Sequence, residues 1–111
     1  MRVEDEGRLL RIFVDEKSRW EGKPLYERIV QACLDAGLAG ATVLRGIQGY
    51  GAHHRLRVAS VLRLSTDLPV VIEVADTPEK IESFLPAAEA MIDNGFITVE
   101  KVRMIRITPD D

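Results

Sequence analysis

The stretch Val70–Ile107, "VVIEVADTPEKIESFLPAAEAMIDNGFITVEKVRMIRI", contains one complete strand–helix–strand unit. Val70, Ile72 and Val74 alternate with Val71 and Glu73, and the run is rich in β-branched residues, so "VVIEVAD" (Val70–Asp76) reads as a strand. Thr77 then offers a hydroxyl as N-cap. Pro78 follows at the first helical position, where a missing N–H costs nothing. Ile81, Phe84, Leu85, Ala88 and Ile92 recur at helical spacing and predict a buried stripe, ended by Asn94-Gly95. Pro86 falls inside this helix and predicts a kink, because it has no N–H for the carbonyl of Glu82. "FITVEKVRMIRI" (Phe96–Ile107) is the closing strand, with a bulge expected near Glu100-Lys101.

The same order occurs earlier in the chain. "RLLRIFVD" (Arg8–Asp15) reads as a strand, and "EKSRWEGK" as a polar loop. Pro24 is placed at the first position of a helix whose apolar face is Leu25, Ile29, Val30, Cys33 and Leu34, with Gly37 as its cap. Cys33 on that face reads as core packing rather than as a reactive thiol. "ATVLRGI" (Ala41–Ile47) is a strand, "RLRVASVLRLS" (Arg55–Ser65) has partial strand character, and "TDLP" punctuates the chain. The order is therefore β-α-β-β-α-β. Right-handed crossovers then require an α+β, ferredoxin-like fold: a four-stranded antiparallel sheet with both helices on one face. Residues 1–111 are expected to form a single domain.

With helices on one face only, the other face should be polar if it meets water. It is not. Leu9 and Phe13 point away from Leu10, Ile12 and Val14; Val71 opposes Val70, Ile72 and Val74; Val102 and Met104 oppose Ile105 and Ile107. Apolar residues on both faces predict that the second face is covered by further copies of the chain.

Composition excludes several classes. No run approaches the roughly 20 apolar residues of a membrane span. "MRVEDEGRLL" carries acids where a secretory signal needs an apolar region, so a cytoplasmic location is expected. One cysteine leaves no internal disulfide and no cysteine-based metal site. The formal net charge of −3 argues against nucleic acid as a partner. No serine sits in a nucleophile elbow, Cys33 has no evident base, and Glu73 is expected to pair with a cross-strand arginine. The chain does not read as an enzyme, and no required cofactor is expected.

The charge is distributed unevenly. Residues 36–66 contain no Asp or Glu and carry +4, which leaves −7 for the rest of the chain. At the centre of this window stands "RGIQGYGAHHR" (Arg45–Arg55). Gly46, Gly49 and Gly51 form neither a dinucleotide fingerprint nor a P-loop. They permit positive φ, so that successive N–H groups can converge on an anion, or they form a flexible hairpin. Arg45, Arg55 and Arg57 tilt the reading toward a phosphate or carboxylate site, against the alternative of a solvated face. Lys23 is a further candidate cation. Tyr50 can stack on a ring or contact a protein, and Trp20 can serve as an interface or a ligand platform. His53 and His54, read as extended and pointing to opposite sides, are poorly placed to chelate one metal ion and are assigned to partner contact.

"GKPLY" (Gly22–Tyr26), "GATVLRG" (Gly40–Gly46) with Gly49 and Gly51, and "STDLP" (Ser65–Pro69) resemble the PII-like family known as domain of unknown function one-ninety, over Leu9–Ile107. The resemblance implies a homotrimer similar to PII signalling proteins and CutA. It places residues 46–58 where PII proteins carry the T-loop that engages targets. It also implies an adenine nucleotide (AMP, ADP or ATP) as effector and a target protein, with a membrane transporter as one candidate. "MIDNGFITVE" lacks the glycine- and lysine-rich phosphate turn of PII proteins, so phosphate contacts would fall to the arginine-bearing segment or to Lys23. The alternatives are a CutA-like trimer binding a divalent metal through His53 or His54, and a protein-docking module without a small ligand.

Overall fold

The computed structural model describes residues 1–51, 54–58 and 67–110. The elements in chain order are β1 (Arg2–Asp15), β2 (Arg19–Trp20), β3 (Lys23–Pro24), α1 (Leu25–Asp35), β4 (Thr42–Arg45), β5 (Gln48–Gly49), β6 (Arg57–Val58), β7 (Pro69–Asp76), α2 (Pro78–Met91) and β8 (Phe96–Ile107). Four strands form one antiparallel sheet in the order β4-β7-β1-β8. This is the expected split β-α-β arrangement, with β1 and β7 at the centre.

β1 begins six residues earlier than its sequence pattern suggests. Arg2 to Phe13 pair without interruption with Ile107 to Phe96, so the expected bulge at Glu100-Lys101 is absent. β7 starts opposite Asp15 and ends opposite Arg8. Residues 2–7 therefore continue as a two-stranded ribbon, held by pairing with β8 rather than by apolar alternation, which is why the pattern did not reveal them. Met104 lies across Gly7, where a Cβ would come within 2.6 Å of its Cγ.

Leu10, Ile12 and Val14 of β1 and Val70, Ile72 and Val74 of β7 face the helices and are buried. α1 contributes Leu25, Ile29 and Cys33, while α2 contributes Ile81, Phe84, Ala88 and Met91. Two expected core positions differ. Leu34 is 70% exposed, because it sits one residue beyond the face carried by Ile29 and Cys33. Met91 is buried where the pattern expected Ile92, since α2 ends at Met91; Ile92, extended at the C-cap, is half-buried and still packs against the core. The helix runs through Pro86.

The helix ends follow local chemistry. The hydroxyl of Thr77 accepts from the Lys80 N–H at 3.3 Å. Pro24 is the N-cap of α1 rather than its first residue, because it still belongs to β3. The "polar loop" before it is a small hairpin, turned by Glu21 and Gly22 at φ 51° and 79°. At the other end of α1, Gly37 has φ 74°, its N–H donates to the Leu34 carbonyl, and the Leu38 N–H donates to that of Cys33. This 5→2 and 6→1 pair closes the helix. Asp76, 1% exposed, accepts from the N–H groups of Ala39 and Thr77 and so ties this turn to the start of α2.

The helix-free face carries Leu9, Phe13, Val71 and Leu44, with the Phe13 and Phe96 rings stacked 4.4 Å apart. Arg11 lies among them and pairs with Glu73 at 2.8 Å and with Glu100. Glu73 thus takes the cross-strand arginine partner expected of it.

Gly95 is packed so closely that a Cβ would stand 2.5 Å from the Phe13 carbonyl oxygen. Gly95→Ala should lower stability by about 1–3 kcal/mol in urea unfolding, as overpacking does. Burial pushes the Cys33 thiol up to about 11. Because the folded state holds that proton more tightly, its contribution to stability is lost as pH rises from the unfolded thiol's range through 11. At pH 8 the native thiol should resist iodoacetamide and react at the rate of unfolding, as mass spectrometry of pulse-labelled protein would show.

Candidate functional site

The site is built around Pro69, the first residue of β7. After β4 the Gly46 N–H donates to the Pro69 carbonyl at 2.8 Å, and the chain leaves the sheet as a small hairpin of β5 and β6. A Cβ on Gly46 would lie 2.9 Å from Pro69 Cγ, and one on Gly49 would lie 3.0 Å away. These glycines are needed because the hairpin lies directly on the proline ring. Neither they nor Gly51 adopt the positive φ that glycine permits, so of the two readings the hairpin is the one observed, and Gly51 has open space around it among the described residues.

Among the described residues of this segment, His54 is left-handed, at φ 54°, and its N–H donates to the Gly51 carbonyl at 2.9 Å. His54 is thus not part of an extended His-His pair, and His53 lies outside the described residues. The expected strand Arg55–Ser65 is represented by Arg57 and Val58 alone among the described residues, since 59–66 also fall outside them.

Two cavities flank the hairpin. One, of about 520 Å³, is polar and lined by Asp15, Lys17, Ser18, Arg55, Arg57 and Asp67. The other, of about 390 Å³, is more apolar, with Phe13, Phe96, Tyr50, His54 and Pro69 among its walls. Asp15 borders both. The Tyr50 and His54 rings lie 5.8 Å apart. The arrangement offers guanidinium and ammonium donors on one side and flat aromatic surface on the other, a combination suited to a ligand with an oxyanion and a ring.

The candidate cations are separated by their neighbours. Arg55 and Arg57 line the polar cavity. Arg45 does not, and is engaged bidentately by Glu16 at 2.8 and 3.1 Å. Lys23 stands on β3 opposite Trp20, on the other small hairpin, and lines neither cavity. Arg57 meets Asp67 at 3.6 Å, and Asp67 accepts from the Lys17 backbone N–H at 3.4 Å.

Sequence reading missed Asp15, Lys17, Asp67, Phe13 and Phe96 as site residues. Lys17 and Asp67 lie in loops whose composition is ordinary. Phe13 and Phe96 were legible as residues of the second sheet face, but only the β1–β8 register sets them side by side. The hairpin also presents exposed apolar side chains: Ile47, Tyr50, Leu56 and Val58. Among the described residues there is no group of three or more His, Cys, Asp or Glu arranged to hold a metal, and no helix long and apolar enough to cross a membrane.

Among solved structures, the chain is similar to CPII of Thiomonas intermedia K12 bound to ADP and bicarbonate: TM-score 0.60 at 20% identity, covering 92% of this chain and 91% of that one. It is also similar to CutA of Synechococcus elongatus PCC7942, with TM-score 0.56 at 13% identity over 94% of this chain and 85% of that one. These likenesses establish a PII-like fold. In sequence it is 43% identical over 98 residues to a UPF0166 protein of Aquifex aeolicus (strain VF5), spanning 88% of this chain and 92% of the relative. Residues 7–104 match the family model described as DUF190, "Uncharacterized ACR". The chain belongs to the DUF190 family.

Proposed function

We propose that the chain is a PII-like regulatory protein that binds a small anionic ligand, an adenine nucleotide, at the base of the 46–58 hairpin and signals through that hairpin to a partner protein. The observation that carries this reading is the pair of adjoining cavities, one polar, with Lys17, Arg55 and Arg57 beside the carboxylates of Asp15 and Asp67, the other aromatic at Phe13, Tyr50, His54 and Phe96. Phosphate oxygens match the guanidinium donors, and a purine matches the aromatic walls. CPII, which shares the fold, binds ADP, and this supports the ligand class. Arg45, Gly46, Gly49 and Gly51 then shape the hairpin that carries the contacts, and Lys23 is the outlying cation of the set.

The ligand would act by population shift: whichever hairpin arrangement it favours is the one the partner meets. Val58 of β6 and the adjoining Leu56, both exposed, are the surface most directly altered. The helix-free sheet face, with Leu9, Phe13, Val71 and Leu44, supports assembly as a homotrimer in which that face is covered. The exposed apolar tip also supports a second reading, a docking module whose hairpin binds protein without any small ligand.

Calorimetric titration with ADP separates these readings. Arg55→Gln with Arg57→Gln should weaken ADP binding about ten- to a hundred-fold, the loss expected for charge-assisted hydrogen bonds, with the thermal unfolding midpoint little changed. Undiminished affinity overturns the site, and no ADP binding by the unaltered protein favours the docking module. Light scattering should give three times the 12.4 kDa chain mass. Val71→Asp, which places a charge in the covered face, should dissociate the assembly; a monomeric parent protein overturns the trimer.

A further inference from the structure

Resting on the anion-site reading above, we propose that Asp67 is a resident competitor for the ligand: its carboxylate pairs with Arg57 and must be displaced by an incoming anion, which releases β6. Among the described residues, two acid–arginine pairs hold the hairpin to the body of the protein, and they differ in kind. Arg45 and Glu16 meet bidentately at 2.8 and 3.1 Å, at the point where the chain leaves β4. Arg57 and Asp67 stand 3.6 Å apart, beyond hydrogen-bond reach, at the returning strand. The first has the geometry of a fixed hinge, the second that of a latch.

Asp67 is held only loosely itself. Its other contact among the described residues is the Lys17 N–H at 3.4 Å, near the limit of a hydrogen bond. A phosphate or carboxylate forming charge-assisted bonds of about 2.7–2.9 Å to Arg57 replaces a long contact with short ones. Asp67 is mostly shielded, with its side chain 18% exposed, and it lines the same polar cavity as Arg55, Arg57 and Lys17. Its charge therefore opposes any anion entering there and sets the affinity the ligand must exceed. Arg57 is paired with Gly49, the glycine resting on Pro69, so a shift of Arg57 moves β6 together with its exposed Val58 and the adjoining Leu56. One residue thus links ligand entry to the outward apolar surface.

The experiment combines ADP titration with limited trypsin digestion, read by mass spectrometry at Arg55 and Arg57, on the unaltered chain and on two variants. Asp67→Asn should bind ADP about two- to five-fold more tightly, the range set by losing one partly exposed ion pair, and should be cut faster at both arginines without ligand. Arg57→Gln, which breaks the latch from the other side and keeps Asp67, should be cut faster after Arg55 while losing ADP affinity. Unchanged cutting in both variants overturns the latch. Normal ADP binding by the parent protein with no gain in Asp67→Asn also overturns it. If the parent fails to bind ADP, the nucleotide reading falls, and inorganic pyrophosphate becomes the probe of the same arginine. Tighter pyrophosphate binding by Asp67→Asn then supports the competitor, and equal binding overturns it.

Discussion

Everything in the fold is arranged about β1, which is paired along both edges. β8 takes one edge from Arg2 to Phe13, and β7 takes the other from Arg8 to Asp15. Its inward side chains Leu10, Ile12 and Val14 are almost wholly removed from water, so a register slip of one residue would expose all three and bury Leu9, Arg11 and Phe13 under the helices. That penalty locks the register. The locked register in turn brings Phe13 beside Phe96 and sets Asp15 at the point where the two cavities meet.

The hairpin carrying the candidate site depends on a second constraint, contact with Pro69. Proline at the head of β7 has no N–H to donate, but its carbonyl accepts from Gly46 and its ring fills the space where side chains on Gly46 and Gly49 would stand. The glycines therefore serve packing at this level, not unusual backbone angles. Among the described residues, the hairpin meets the body through this ring contact, the Gly46 hydrogen bond and the Arg45–Glu16 and Arg57–Asp67 ion pairs, while Ile47, Tyr50, Leu56 and Val58 are exposed. A segment held largely by polar contacts can change arrangement at lower cost than the core.

The helix-free face combines two unlike features. Its apolar residues favour burial, whereas Arg11 with Glu73 and Glu100 forms a charged centre carrying one excess negative charge. If copies cover this face, the charged centre is desolvated with it, and its hydrogen bonds then matter more for which arrangement forms than for how tightly it holds. Apolar area supplies the driving force and the ion cluster supplies the discrimination.

The sequence by itself determined the class of fold, because alternation in Val70–Asp76 and Arg8–Asp15, the Thr77-Pro78 start and the Gly37 stop are local signals with local causes. It also determined where positive charge is concentrated, and that both faces of the sheet are apolar. Local signals could not reveal the early start of β1, the hairpin at Glu21-Gly22, or the absence of a bulge in β8, since pairing with a distant strand decides these. The site shows the same division. Arg55 and Arg57 were legible as cations in an acid-free window, but only the tertiary structure set them beside Lys17 and Asp67, turned Arg45 onto Glu16 and left Lys23 on another hairpin. Charge is a property of each residue. Its partner is a property of the fold, and two residues 10 or 29 positions apart become partners only when strand pairing has closed the distance.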